Sequence, residues 1–529
     1  MAKVNFDYTN IPKEKFAFVN TEGRLTDKKF VDKPIGYFKD AWIRFKKSRA
    51  SVVAAIIILC IVLYAFMAPL LVTNHDAKFM CSTYQKKPAR IASIADMNLG
   101  IFDGGVSVNP QEAGLINLIA MGMGAEDYDG HGVTLEEGMA SDYQPIIKIG
   151  NSFVQQMPGN KTATYYPSEV DSYLQVGFLY TTVEQAEYYR ILEWQEENGI
   201  QVLYPLIQNN EWNPDPDNAN YWYKAKARGN VPVRITESGT AREIAYEPGM
   251  MLDDNYKRDA DGNVVYYQYA GGGNLETAQF KIRILYYNYY RYLYGSTPDY
   301  FLGTDSQGYD FGLRIAGGLK LSLLFAISVS IINFIIGAIY GAVEGYYGGA
   351  VDIILERVSD ILSGVPFIVV ATLFQIHLAT KVGPIPSLLF AYVLTGWIGT
   401  AYRVRSQFYR FKNSEYVMAA RTLGASDRRI IWKHIFPNSL GTLITSSALV
   451  IPGTILGESN LSYLGIVKLG TADRTSLGTL LSEASAIWTN YPHLMIYPAL
   501  FISLLMICFN LFSNGLRDAF NPALRGVEE

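Results

Sequence analysis

Six apolar stretches constrain this chain more strongly than any other feature of its sequence. Crossing the hydrocarbon core of a membrane takes about 20 apolar residues in helical form, because a helix rises only about 1.5 Å per residue. Each stretch reaches or approaches that length, so the sequence predicts a polytopic α-helical membrane protein with six transmembrane helices. The stretches lie near residues 50–73, 319–343, 361–379, 386–400, 440–456 and 494–513.

These helices divide the 529 residues into an N-terminal segment, a large insert and a membrane core. We predict a cytoplasmic segment over 1–48, a first transmembrane helix over 49–73, an inserted extracytoplasmic domain over 74–302 and a core over 303–529. Within the core we predict helices at about 318–343, 350–379, 386–407, 439–458 and 492–513, with a connecting loop over 408–438.

Basic residues predict how the chain is oriented in the membrane. Loops on the cytoplasmic side carry an excess of lysine and arginine. Such residues cluster before the first helix, around the loop after the fourth and after the sixth. We therefore expect a multi-pass cell-membrane protein with both termini in the cytoplasm. The clusters comprise Lys39, Arg44, Lys46, Lys47 and Arg49, then Arg403, Arg405, Arg410, Lys412, Arg421, Arg428, Arg429 and Lys433, then Arg517 and Arg525.

The insert differs in charge from the membrane core. Residues 75–300 hold 29 of the 49 acidic side chains, 17 of the 45 basic ones and a single cysteine, Cys81. One cysteine closes no internal disulfide, so the domain needs a buried core of its own. Residues 183–199 favour a helix, whereas 231–235 and 264–269 favour strands, which together predict an α+β domain. Nothing in the composition indicates a nucleic-acid partner.

Tyrosine pairs and acidic turns are further features of the insert. The pairs at 165–166, 188–189, 286–287 and 289–290 fit core and strand packing better than a peptide-contacting surface. Segments 259–263 and 127–130 resemble calcium loops, but neither continues with the required ligands and terminal glutamate. We interpret both as tight turns, the first linking two strands.

Several kinds of chemistry are excluded by missing motifs. The sequence has no GxxxxGK[ST] phosphate-binding loop, and its five histidines lack the pairing of a zinc site. No nucleophile elbow is present either. We therefore expect neither an enzyme nor a cofactor bound by this chain.

The predicted core contains three groups of notable residues. Gly337, Gly341 and Gly345 recur every four residues, which predicts a smooth face where another helix packs closely. Glu458 is an ionisable residue at the outer end of an apolar helix, so it is a candidate for lining a translocation path. Four charged residues open the third helix; the first and second share a face, and the third and fourth can pair. These are Asp352, Glu356, Arg357 and Asp360.

The loop after the fourth helix carries the most informative segment, residues 415–437. It predicts a short amphipathic helix with a face of small residues and a closing proline. Such a helix either docks a partner or lies on the membrane surface without one, and the pattern favours neither. The candidate contact residues are Tyr416, Ala419, Ala420, Arg421, Leu423, Gly424, Ala425 and Pro437.

Several motifs together resemble one protein family. They are residues 38–49 (FKDAWIRFKKSR) before a helix ending in APL, 303–310 (GTDSQGYD), 415–438 (EYVMAARTLGASDRRIIWKHIFPN), 458–465 (ESNLSYLG) and 513–522 (SNGLRDAFNP). The chain resembles the C-type inner-membrane permease subunit of dipeptide and oligopeptide ABC importers over residues 35–73 and 300–525. Two residues depart from the family pattern: Met418 stands where the loop motif usually has glutamate, and Tyr309 where arginine is common.

The resemblance implies the type I ABC importer permease fold and a role in ATP-driven transport. The partners it implies are a homologous second permease, two ATPase subunits that bind the ATP, an extracytoplasmic binding protein, a peptide substrate and membrane lipids. Segment 415–438 would couple to an ATPase through a helix at about 416–424, and transport would proceed by alternating access. The large insert is unusual for the family, and the resemblance says nothing of its role.

Two alternatives compete with this interpretation. A membrane-anchored receptor could sense a ligand with the insert and signal through the loop, or a tethered hydrolase could use carboxylates of the insert. Five predicted helices after the insert favour transport, because an anchor needs only one or two.

Overall fold

The computed structural model describes the chain in thirteen stretches, which contain five helices long and apolar enough to cross a membrane. These helices are called the first, second, fourth, fifth and sixth spans, and they cover Arg49–Leu71, Phe311–Tyr347, Pro384–Phe411, Asp427–Tyr463 and His493–Phe520. The described stretches are 37–72, 78–95, 97, 100–126, 140–159, 161–206, 212–215, 218–225, 232–235, 241–243, 257–272, 278–471 and 474–520.

The third predicted span is a pair of helices rather than one. Helix Gly349–Ser363 ends before Pro366, and helix Phe367–His377 begins directly after it. Pro366 lies in an extended conformation (φ −59°, ψ 124°). Proline also lacks the amide hydrogen that a continuing helix would need, so the chain bends here. The 11-residue second helix is apolar but rises only about 16 Å, too short to cross by itself.

The fifth span begins earlier than the sequence predicts. It starts at Asp427, inside the range 408–438 that we predicted to be a loop. Pro437 therefore does not close that loop: it lies in the first turn of Phe436–Ala448, directly after a π-helical stretch, Ile430–Ile435. Proline has no backbone N–H to donate, but in the first turn of a helix this removes few hydrogen bonds. The wider π-helical turn before Pro437 lets the fifth span continue past the proline.

Shorter helices connect the spans. The fourth span consists of Pro384–Gly396 and Ile398–Phe411, which meet at Trp397. Helices Tyr37–Lys47, Ala379–Val382, Glu415–Thr422 and Leu477–Ser485, with strands β14 (Gly470–Thr471) and β15 (Arg474–Thr475), complete the described part of the membrane body.

One apolar cluster joins the first, second, fifth and sixth spans. It includes Ile61, Leu319, Ile455 and Leu505, each at most 5% exposed. Removing an aliphatic side chain of this size from water contributes about 1.5–3 kcal/mol, so the cluster fixes the four helices relative to one another.

The glycine stripe of the second span lies against the fourth span. A Cβ atom added at Gly337 would lie 2.7 Å from the carbonyl oxygen of Trp397, and one at Gly345 would lie 2.7 Å from Cβ of Phe408. At Gly341 an added Cβ would overlap the backbone of Ala401. The two backbones approach this closely because glycine has no side chain.

The insert is an α+β domain, as predicted. Its four described α-helices are Ala92–Ala95, Glu112–Glu126, Gln185–Asn198 and Tyr286–Tyr294. Its described strands are β1 Gly105–Val108, β2 Ile146–Ile149, β3 Phe153–Met157, β4 Lys161–Tyr165, β5 Ser168–Asp171, β6 Phe178–Glu184, β7 Leu203–Tyr204, β8 Trp212–Asp215, β9 Asn218–Ala225, β10 Pro232–Ile235, β11 Ala241–Glu243, β12 Tyr267–Gly271 and β13 Gln279–Leu285.

Antiparallel pairing joins these strands into small sheets. The orders are β1-β5-β2, β3-β4, β11-β10-β9-β8 and β12-β13-β6, with β7 also pairing with β13. Helix Gln185–Asn198 ends at Gly199 (φ +64°), as the sequence predicts, and packs on the β12-β13-β6 sheet through the fully buried Ile191 and Ile282. Strand β10 falls within the predicted 231–235, whereas β12 starts later than predicted.

The tyrosine pairs mainly serve packing. Tyr188, Tyr287 and Tyr290 are buried, while Tyr189 is 54% exposed. The predicted turn at 259–263 is present: Gly262 has φ +86°, and the Asp259 carboxylate accepts backbone N–H groups from within its own turn. The segment 127–130, which we also predicted to be a turn, lies outside the described residues.

The insert meets the membrane body where residues 80–90 run alongside 300–310. Arg90 and Tyr300 exchange backbone hydrogen bonds of 2.9 and 2.8 Å. The Asp305 carboxylate accepts the N–H groups of Gly308 and Tyr309 and pairs with Arg314 at the start of the second span. Because these bonds are buried, the junction is a rigid joint rather than a linker.

Substitution of Gly341 tests the contact between the second and fourth spans. We expect Gly341→Ala to destabilise the protein by about 1–3 kcal/mol, because its Cβ overlaps the Ala401 backbone. Gly317→Ala on the same helix is the control: its Cβ meets no neighbouring atom within 4 Å. The measurement is the thermal unfolding midpoint in detergent. Equal midpoints for the two variants would contradict this account of the contact.

Candidate functional site

A short helix, Glu415–Thr422, lies between the fourth and fifth spans and is called the loop helix. Glu415 lies in its first turn, where its negative charge interacts favourably with the helix dipole. At its end the N–H of Ala425 bonds to the carbonyl of Ala420 at 3.0 Å. Gly424 supplies the left-handed residue (φ +80°) that this Schellman motif requires. Gly424 therefore ends the helix through its backbone freedom.

The inner side of the loop helix is set into the membrane body. Val417 is fully buried in a cluster, called the loop-end cluster, to which the second, fourth and fifth spans all contribute. Ala425 packs against the same cluster. Since these contacts are close-packed, the loop helix cannot shift without moving the ends of the spans. The members of the cluster are Ala338, Ala342, Tyr346, Val404, Phe408, Val417, Ile430, Ile431, Ile435 and Leu443.

The outer side of the loop helix exposes large apolar side chains. Leu423 is 88% exposed, Met418 51% and Tyr416 39%. Ala419 and Gly424 are also exposed, whereas Ala420 is half-buried. The predicted small-residue face is thus divided: Ala420 and Ala425 turn toward the body, and Ala419 and Gly424 turn away. An exposed apolar surface of this kind is typical of a contact with another protein or with the membrane surface.

A polar bridge ties the loop helix to two spans. The hydroxyl of Tyr346, at the end of the second span, donates to Oδ1 of Asp427 at 2.6 Å. The guanidinium of Arg421 lies 5.9 Å from the centroid of the Tyr346 ring. Arg421 is exposed but faces this bridge, so part of its role is to hold the loop helix in place.

A partly buried group of charges lies beside the loop-end cluster. Arg405 on the fourth span bonds to Asp352 at 2.7 and 2.9 Å and to Glu356 at 2.9 and 3.1 Å. Glu344 lies 3.5 Å away, and the Tyr409 hydroxyl donates to Asp352. One guanidinium therefore joins the second span, helix Gly349–Ser363 and the fourth span.

Comparison with known proteins identifies the family. The profile of the binding-protein-dependent transport system inner membrane component matches residues 333–526, and that of the N-terminal TM domain of oligopeptide transport permease C matches 36–88. The oligopeptide transport system permease protein OppC of Bacillus subtilis is 38% identical over 230 residues, 43% of this chain and 73% of that protein. The chain belongs to this family of transport-system inner membrane components.

Other relatives agree with this assignment. OppC of Haemophilus influenzae is 43% identical over 225 residues, covering 42% of this chain and 70% of that protein. The dipeptide transport system permease protein DppC of Bacillus subtilis is 38% identical over 235 residues, covering 43% and 70%. Among solved structures, the inward-facing MetNI methionine ABC transporter aligns with a TM-score of 0.34 and 14% identity, over 39% of this chain and 96% of that one.

Family membership confirms the predicted fold class and places this permease in the inner membrane as a multi-pass protein. Family membership also makes the chain a component of a transport system rather than an enzyme. It therefore does not favour the alternative interpretations as a membrane-anchored receptor or a tethered hydrolase. The two matched profiles leave residues 89–332 uncovered, a range that includes most of the insert.

Glu458 of the permease is fully enclosed. It is 0% exposed, and its carboxylate accepts hydrogen bonds from Ser322 at 3.1 Å and Ser462 at 2.9 Å. The hydroxyl of Ser476 faces it as well. These bonds connect the second span, the fifth span and the start of helix Leu477–Ser485. In this conformation the geometry favours an anchoring role for Glu458 over lining a translocation path.

Sequence reasoning missed two residues that the structure makes central. Val417 lies in the sequence between Tyr416 and Ala419, which we predicted to contact a partner. On the loop helix, however, Val417 is the fully buried residue. The basic cluster that contains Arg405 indicates only orientation in the sequence, whereas the structure pairs Arg405 with Asp352 and Glu356, which share a helix face. The exposed pair Arg357–Asp360, at 2.9 Å, forms as predicted.

Removing the charge of Arg405 should destabilise the permease strongly. We expect Arg405→Gln to destabilise the permease by about 2–3 kcal/mol, since it leaves the buried carboxylates of Asp352 and Glu344 without their cation. The control is Arg357→Gln, whose exposed ion pair contributes about 0–1 kcal/mol. Unfolding midpoints in detergent measure both. Equal unfolding midpoints for the two variants would show that Arg405 does not stabilise the contact between these helices.

Gly424 offers a test of how the loop helix ends. We expect Gly424→Arg to destabilise the end of the helix by about 1 kcal/mol or more, because side chains disfavour positive φ. Gly424→Asn should be milder, as asparagine tolerates this conformation. Hydrogen exchange of residues 415–425 in the purified protein provides the measurement. Equal exchange in both variants and the wild type would show that the left-handed turn is not needed.

Proposed function

We propose that this permease is the membrane-spanning part of an ATP-driven peptide importer. The relatives named as oligopeptide and dipeptide permeases support the substrate class. Peptides would cross between this chain and a homologous second permease by alternating access. Two separate ATPase subunits would bind and hydrolyse the ATP, and an extracytoplasmic binding protein would deliver the peptide.

The observation that carries this proposal is the two-sided loop helix. Its exposed Leu423 and its buried Val417 lie on opposite sides of one short segment. A partner that binds the outer side and moves would therefore displace the second, fourth and fifth spans through the loop-end cluster. This arrangement is suited to converting a movement of the ATPase into a movement of the spans.

The proposed orientation places the loop helix and both termini in the cytoplasm and the insert outside. The basic residues that surround the loop helix support it, including Arg410, Lys412 and Arg428. The ATPase subunits would then meet the loop helix from the cytoplasm, and the binding protein would approach from the side of the insert.

Substitution of Leu423 tests the docking role directly. Leu423 is 88% exposed, so Leu423→Asp should leave the fold intact. Losing the burial of a leucine at an interface costs about 1.5–3 kcal/mol, which weakens ATPase binding by about 10- to 100-fold. We expect the ATPase subunits to be lost on co-purification, together with peptide uptake.

The control is Val154→Asp on strand β3 of the insert, a residue that is 64% exposed. It adds the same charge to an exposed apolar position and should retain the ATPase subunits. Undiminished co-purification and uptake in Leu423→Asp would overturn the docking role of the loop helix.

A further inference from the structure

An apolar groove opens between the first and second spans, next to the insert. Its volume is about 530 Å³, and Phe301 of the junction lines it together with Met67 and Leu71 of the first span and Leu313 of the second. Tyr64 and Asp310 also line it, but both are engaged: Tyr64 donates to the Gly312 carbonyl at 2.8 Å, and Asp310 accepts the Leu313 N–H at 3.0 Å. The groove therefore suits a hydrocarbon occupant rather than a polar one.

The groove adjoins a small apolar patch of the insert, formed by Phe301, Phe102 and Ile101. Phe301 is 55% exposed and stacks on Phe102, with ring centroids 5.4 Å apart. Ile101, the neighbour of Phe102 in the chain, is 57% exposed. Phe102 has φ +55°, an unfavourable backbone conformation for a bulky side chain that costs on the order of 1–3 kcal/mol. Such strain commonly marks a loop held in place for a contact.

Both features lie at the level where the membrane ends. The first span has 23 residues and rises about 35 Å, slightly more than the roughly 30 Å hydrocarbon core. Its last residues, Leu70 and Leu71, are each 72% exposed. The exposed Lys320 places its ammonium 5.1 Å from the Phe66 ring centroid, as lysines do where they reach toward the polar surface of a bilayer. The patch is thus continuous with the lipid-facing surface of the first span.

We propose that the insert rests on the lipid bilayer and that a lipid acyl chain fills the groove. Ile101 and Phe301 lie in the interfacial layer of the leaflet nearest the insert, and an acyl chain of that leaflet lies against Met67, Leu71 and Leu313. The insert is thereby held to the membrane by lipid contacts in addition to its rigid junction. The inference requires a membrane-embedded chain but not the proposed peptide transport.

A spin label tests whether the patch touches lipid. The full-length permease with Cys60→Ala, reconstituted in phosphatidylcholine vesicles, carries a nitroxide at Ile101→Cys or, as control, at Val154→Cys. The other two cysteines, Cys81 and Cys508, are buried. We expect oxygen to relax the label at 101 more effectively than a water-soluble nickel chelate, and the reverse at 154. A label at 101 that the chelate reaches as readily as at 154 would overturn the lipid contact.

A photoactivatable phosphatidylcholine with a diazirine on its acyl chain tests the groove. Leu71 lines the groove and Leu70 does not, although both are 72% exposed. We expect labelling of the groove residues to fall severalfold in Leu71→Trp and to be unchanged in Leu70→Trp. Equal labelling in both variants, or crosslinks showing a helix of the second permease in the groove, would refute lipid occupancy. Neither result depends on peptide uptake, so each is separable from failure of the proposed transport function.

Discussion

The close backbone contact between the second and fourth spans is the constraint on which the rest of the permease site depends. Gly337, Gly341 and Gly345 let the fourth span approach until its backbone and Cβ atoms between Trp397 and Phe408 lie directly on the glycine face. That approach brings Arg405 to the carboxylates of Asp352, Glu356 and Glu344. It also forms the wall of the loop-end cluster into which Val417 inserts. Larger residues in the stripe would separate all of these partners at once.

The loop helix depends on packing against this wall for its structure. A helix of eight residues is too short to be stable alone in water, so its structure depends on packing. Val417 supplies that packing, and the Schellman turn at Gly424 directs the chain back toward the body, where Asp427 starts the fifth span. The exposed side and the buried side belong to the same short helix. No flexible segment lies between them, so a displacement of the outer side is passed directly to the spans.

Local sequence rules predicted the elements of this protein better than their contacts. Apolar length located five spans, and the spacing of Gly337, Gly341 and Gly345 indicated a packing face. Pro366 and Pro437 show the limit of such rules: the first breaks a helix and the second lies in a continuous one, because a preceding π turn accommodates it. The partner of Asp352 and Glu356 could not be chosen from sequence, since many basic residues lie nearby and only the tertiary fold selects Arg405.

The junction explains how the membrane body tolerates a large insert. Arg90 and Tyr300 are hydrogen-bonded to each other, so the two ends of the insert are adjacent. Inserting a folded domain between adjacent, bonded residues changes neither the path of the flanking chain nor its packing. Asp305 fixes the turn through Gly308 and pairs with Arg314, which also lies 3.4 Å from Glu483 near the sixth span. Burial raises the pKa of the Glu483 carboxyl, and Arg314 counteracts that shift. The joint that carries the insert is therefore tied both to the second span and to the helix before the sixth.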